Sequence, residues 1–125
     1  MLILTPENPL FNYDECKRLY NSCKNDIGED LPFDELLIGI DFYSFFEKEK
    51  FIGCIYYYPI GKALFVNAFA KRHTHLINIK CFKTSLSFYD CDIFARSNKK
   101  TAILCLLRCG FKKIGKNLYK LERNK

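Results

Sequence analysis

Asp92-Ile93-Phe94-Ala95-Arg96-Ser97-Asn98-Lys99-Lys100-Thr101-Ala102-Ile103-Leu104-Cys105-Leu106-Leu107-Arg108-Cys109-Gly110-Phe111 reads as a strand, a polar turn and a helix in direct succession. Residues 91–95 form a short apolar run, the mark of a buried strand. Asn98 is a candidate helix N-cap, since its side-chain oxygen can accept a free backbone N–H. Over 99–109, Ala102, Ile103, Leu106 and Leu107 recur at helical spacing. Gly110 ends the helix, because glycine takes the left-handed C′ conformation without a Cβ penalty. The last extended stretch, 111–121, is expected to break at Gly115.

Upstream, residues 63–70 read as a strand, and Pro59-Ile60-Gly61-Lys62 as the turn before it. Residues 51–58 and the aromatic run 41–47 read as two more strands, parted by Lys48-Glu49-Lys50. Short links between neighbouring strands predict an antiparallel meander. Residues 9–24 place Leu10, Tyr13, Cys16, Leu19, Tyr20 and Cys23 on one helical face. Residues 2–5 read as a first strand and not as a signal peptide. The acidic stretch 25–34, with Gly28 and Pro32, reads as a loop within the domain. A helix over 73–88 shows Leu76, Ile79, Phe82 or Lys83, and Leu86 at helical spacing.

The order β-α-β-β-β-α-β-α-β predicts a single α/β domain spanning residues 1–125. Its expected core is a mixed, mostly antiparallel sheet with helices on both faces. Strands 63–70 and 91–95 should form its one parallel pair, with helix 73–88 as the crossover. The expected core includes Ile52, Ile55, Leu64, Val66, Leu76, Ile79, Ile93, Ala102, Leu106 and Phe111.

Composition narrows the class. The chain has 125 residues, 49% of them apolar, enough for one core. No apolar run is long enough for a transmembrane helix. Its seven cysteines are odd in number, contain no Cys-x-x-Cys pair and mostly flank apolar residues. They predict buried free thiols and a cytoplasmic setting. The net charge is +6, with much of the excess between Lys99 and Lys125. A basic surface attracts polyanions in general. Tyr56, Tyr57 and Tyr58 alternate across a strand, but the RNA-recognition signature is missing, so nucleic acid is not the expected partner. His73 and His75 are the only histidines. At a helix start their side chains diverge, and no carboxylate or cysteine stands at ligand spacing, so no metal site is expected.

This order of elements resembles the GNAT N-acetyltransferase superfamily over roughly residues 40–121. Ala102, Gly110 and Phe111 fit the family's penultimate strand and helix, with Asn98 one residue early. Phe51-Ile52-Gly53-Cys54-Ile55 is similar to its central hydrophobic-glycine strand. The resemblance implies transfer of an acetyl group from acetyl-CoA to a small-molecule or protein amine. It implies cofactor contacts along strand 63–70, including Asn67 and Phe69, in the turn Arg72, His73, Thr74 and His75, and at Asn98. A helix N-terminus there would hold the pyrophosphate. Arg72 matches the first position of the family's phosphate-loop pattern. The two positions where that pattern carries small residues are His75 and Ile77 here.

Many family members have a tyrosine four residues before the glycine of the Gly-Phe pair, and that position is Leu106. Candidate proton acceptors are His73, His75 and Glu47. Small, divergent acetyltransferase-like proteins of short-tailed bacteriophages are similar in keeping the Asn…Gly-hydrophobic end while losing the small-residue loop. That similarity implies a second reading, a non-catalytic binding or assembly module with a protein partner. Whether a slot stays open between strands 63–70 and 91–95 separates the two readings.

Overall fold

The computed structural model describes residues 1–71 and 75–123, and at His75 the backbone alone. Strands are β1 (Leu2–Leu4), β2 (Asp41–Glu47), β3 (Lys50–Ile60), β4 (Ala63–Ala70), β5 (Ile93–Arg96), β6 (Lys112–Gly115) and β7 (Leu118–Leu121). Helices are α1 (Tyr13–Cys23), α2 (Phe33–Leu36), α3 (His75–Leu86) and α4 (Lys100–Arg108). The seven strands form one sheet in the order β1-β2-β3-β4-β5-β7-β6. Among the described residues, β4 and β5 are its parallel pair, joined through α3, and the other neighbours are antiparallel.

Each face of the sheet buries its own cluster. On one side Cys16 and Tyr20 of α1 and Phe33 and Leu36 of α2 pack on Phe42, Cys54, Tyr56 and Phe69. On the other, Cys81, Phe82 and Leu86 of α3 and Leu106 of α4 pack on Ile52, Tyr57, Val66 and Ile93. Burying ~25 cal/mol for each Å² of apolar surface drives both.

Local chemistry sets the turns. Lys48 and Glu49 both have positive φ, 51° and 67°, in the two-residue turn between β2 and β3. That handedness matches the twist of the flanking strands. Gly110 has φ +98° and stops α4. At Gly53 an added Cβ would lie 2.5 Å from the Phe69 carbonyl oxygen, so β3 and β4 close only over glycine.

Several expectations change. Leu76 is 74% exposed. The buried face of α3 runs through Cys81, Phe82, Ser85 and Leu86, and Leu76 lies round the helix from it. Ala102 is exposed because it faces the cleft described below. Leu64 is half-buried against the core cluster. The N-cap position of α4 is Lys99 and not Asn98, and no side chain bonds there. Leu10 precedes α1, which starts at Tyr13 with Asn12 accepting from the Glu15 N–H. Residues 33–36 form a helical turn, because Phe33 and Leu36 bury against the sheet. Strand β3 runs on through Pro59 and Ile60, which the edge of the ladder tolerates. All seven cysteines are free, but only Cys16, Cys54 and Cys81 are buried, and Cys91 is exposed.

Candidate active site: a cleft through the splayed strands

Strands β4 and β5 begin side by side and then part. Leu64 pairs with Ile93 and Phe65 with Phe94, and no Cα partners follow. Beyond that point β4 stays on β3, ending at Gly53 opposite Ala70, while β5 stays on β7, ending at Arg96 opposite Leu118. A cleft of about 750 Å³ opens between them. Residues of the α1–α2 loop line it on one face, and residues of α3 and α4 on the other.

The parting leaves one edge of β4 without a strand. Lys71 donates its N–H to the Ile52 carbonyl at 3.0 Å. The antiparallel alternation therefore turns the N–H groups of Ala68 and Ala70 toward the cleft, while the Val66 N–H makes the last rung to β5. Asn67 Oδ1 accepts from the Ala68 N–H at 2.9 Å. Asn78 of α3 lines the same cleft, and its buried Oδ1 has no hydrogen-bond partner among the described residues. An unpaired buried carbonyl beside a free strand edge suits a ligand carrying amides.

The loop face is held by a polar chain. Asn67 Nδ2 donates to the Ile27 carbonyl at 3.0 Å and to the Tyr56 hydroxyl at 3.1 Å. Tyr56 donates to Glu29 Oε2 at 2.7 Å. Burial, and then the Glu29 carboxylate, push the Tyr56 phenol well above its ordinary range. Burial does the same for Tyr58, where Glu29 adds to the rise and Arg96 opposes it. Across the mouth, Lys99 Nζ lies 3.7 Å from Asp26 Oδ1.

The expected cofactor residues are only partly brought together. Asn67, Phe69 and Asn98 line the cleft. The Asn67 amide is committed to the loop, and Phe69 is buried among Tyr20, Phe42 and Tyr56. Arg72, His73 and Thr74, and the His75 side chain, lie outside the described residues. Ile77 packs against the core cluster beside α3's start. Glu47 stands apart from the cleft, paired with Lys80 at 2.8 Å and with the N-terminal amine at 3.6 Å.

Asp26 and Glu29 are the carboxylates lining the cleft among the described residues. Sequence reading saw only an acidic loop there, because the Tyr56–Glu29 bond joins segments 27 residues apart. Leu106 is buried at the cleft wall, and Cys105 beside it also lines the cleft. A hydrogen bond with Cys109 raises the Cys105 thiol well above its usual range and lowers that of Cys109.

No protein-family model and no curated protein matches the chain. Solved structures do. An N-acetyltransferase from Staphylococcus aureus Mu50 superposes with a TM-score of 0.72 at 15% identity, over 97% of this chain and 96% of that one. A GNAT family acetyltransferase from Elizabethkingia anophelis with acetyl-CoA bound superposes at 0.58 with 17% identity, over 97% of each chain.

The fold is the GNAT fold. An aminoglycoside 6'-N-acetyltransferase from Enterococcus faecium shares it too, at a TM-score of 0.64 and 10% identity, over 97% of this chain and 94% of that one. In this GNAT-fold chain each of these matches covers 97% of the residues, so the likeness is to the fold as a whole. Among the described residues, no helix is long and apolar enough to cross a membrane.

Proposed function

We propose that this chain is an acetyl-CoA-dependent N-acetyltransferase acting on an amine. The observation that carries the reading is the cleft opened by the parting of β4 and β5 after Phe65 and Phe94. It connects the α3–α4 face with the loop face, so donor and acceptor can meet from opposite sides of the sheet. A non-catalytic assembly module has no need of such an opening, and the open cleft favours catalysis over that alternative.

The open edge of β4 and the unpartnered Asn78 carbonyl support acetyl-CoA as the donor. The free edge of β4 and Asn78 would hold the pantetheine amides. The start of α3, with Arg72, His73, Thr74 and His75, would hold the pyrophosphate, where unpaired N–H groups and the helix dipole favour anions. Bound there, acetyl-CoA supplies an activated acetyl group. A backbone N–H on the cleft edge of β4, beyond Val66, would polarise the acetyl carbonyl.

Proton handling falls to the loop face. An amine must shed a proton before it can attack. Asp26 is paired with Lys99, which leaves Glu29 as the carboxylate to take that proton. Tyr56 and Asn67 fix its position. Leu106 has no proton to give, so this chain lacks the phenol that many similar proteins place there.

Calorimetric titration of acetyl-CoA into the protein, with a melting curve, tests the reading. Ligand at ~100 times its dissociation constant should add ~2.7 kcal/mol of stability. No heat and no shift at millimolar acetyl-CoA would overturn it.

A further inference from the structure

The charges around the cleft are not equally satisfied. Among the described residues five charged side chains line it: Asp26, Glu29, Lys71, Arg96 and Lys99. Asp26 and Lys99 pair with each other, and Lys71 pairs with Glu15 at 3.6 Å. Glu29 and Arg96 remain without an ionic partner among the described residues. Glu29 has a hydrogen bond from Tyr56. Arg96 lies over the ring of Phe65, with its guanidinium carbon 5.4 Å from the centroid.

These two unpaired charges stand at opposite ends of one aromatic row. The Tyr56 and Tyr58 rings lie 5.8 Å apart, and the Tyr58 and Phe65 rings stack at 5.9 Å. Tyr56 bonds Glu29 at one end, and Phe65 carries Arg96 at the other. Tyr58, half-buried and lining the cleft, lies between. Register explains the row: Tyr56 and Tyr58 share a face of β3, and Phe65 is the β4 partner of Tyr58.

We propose that the acceptor is a dipolar amine, its ammonium held by Glu29, its anionic group held by Arg96 and its carbon body laid along Tyr58. The inference rests on the acetyltransferase reading and narrows its substrate class. A carboxylate and a guanidinium facing one cleft repel ligands of uniform charge and accept one that carries both signs. Arginine's fork takes a carboxylate or a phosphate through two parallel N–H bonds. Once Glu29 has taken the ammonium proton, the anionic group still anchors the neutral amine.

Matched probe pairs test the proposal, titrated by calorimetry into protein saturated with CoA. The pairs are 5-aminopentanoate with butylamine, 4-(aminomethyl)benzoate with benzylamine, and phosphoethanolamine with ethanolamine. The anionic member of at least one pair should bind roughly ten-fold or more tightly than its match, and which pair it is separates carboxylate from phosphate. Arg96→Gln should abolish that preference by weakening the anionic member of the pair, with the plain amines bound no more weakly than before. Glu29→Gln should weaken both members of the pair. Melting temperatures within a few degrees of the parent check that both variants fold. Equal binding within every pair, no binding by any probe to CoA-loaded protein, or a preference that survives Arg96→Gln would each overturn the proposal. Those results leave the acetyltransferase reading standing. Failure to bind CoA removes that reading and this inference with it.

Discussion

Asn67 and Tyr56 face each other across β4 and β3, and the Asn67 amide donates to the Tyr56 hydroxyl at 3.1 Å while also holding the Ile27 carbonyl. The pair fastens the α1–α2 loop to the sheet at the point where the strands part. Removing the hydroxyl with Tyr56→Phe leaves Glu29 without its donor. The loss should cost about 1.5–3 kcal/mol, the value of a hydrogen bond to a charged group. Hydrogen exchange of amides 25–31 should quicken, and unchanged exchange there would contradict the fastening.

Buried phenols make the fold sensitive to alkali. Burial raises Tyr56, Tyr57 and Tyr89 above the tyrosine range, and Glu29 and Asp41 add to the rise at Tyr56 and Tyr89. In the unfolded chain these groups lose protons near pH ~10. The unfolded state then binds fewer protons than the native state, so stability falls as pH rises above ~10. Below that pH their contribution is constant. Urea midpoints measured from pH 8 to 11 should stay level and then drop.

Glu47 acts at the other end of the scale. Its hydrogen bond from Lys80, and then the nearby positive charges, lower its carboxyl below the ordinary value. A depressed folded value stabilises above the unfolded range near pH 4.5 and is lost as pH falls below it. Glu47→Gln should flatten this part of the acid limb of a pH–stability curve.

Leu106 is 4% exposed and belongs to the core cluster under α3 and α4. Leu106→Ala should cost ~2–5 kcal/mol, the range for a packed leucine. A loss under about 1 kcal/mol would mean that the side chain belongs to the cleft and not to the core.

Gly53 permits the close approach of β3 to β4. A Cβ there would meet the Phe69 oxygen at 2.5 Å and the Ala70 Cα at 2.7 Å, both backbone atoms that cannot swing aside. Gly53→Ala should destabilise by ~1–3 kcal/mol as an overpacked site. It should also weaken acetyl-CoA binding, because the displaced segment is the cleft edge of β4. Equal cofactor affinity in parent and variant would refute that coupling.

The turn at Lys48 and Glu49 offers a gain. Both residues hold positive φ without being glycine or asparagine. Replacing them with Asn-Gly supplies the residues that this turn favours and should add about 1 kcal/mol. A higher melting temperature with an unchanged denaturant slope is the expected result.

Element positions were legible in the sequence because each depends on near neighbours. Strand 63–70 matches β4 residue for residue, since its bounds are the Gly61 turn and the exit past Ala70. The Gly110 stop depends on one backbone angle that glycine takes freely. The parallel pairing of β4 with β5 followed from the crossover helix between them. Periodicity did not say which face of α3 turns inward, and it placed Leu76 inside where the structure exposes it. It also counted Ala102 as core, although that residue faces an opening only the parting of two strands creates.

The candidate site belongs to tertiary structure. Glu29, Tyr56, Asn67 and Arg96 come from a loop and three different strands, and no spacing along the chain relates them. Local patterning decided where strands and helices form, because backbone sterics and apolar periodicity act over a few residues. Which charges were left unpaired was decided by the packing of distant segments, because Asp26 finds Lys99 and Lys71 finds Glu15 only once the chain has closed on itself.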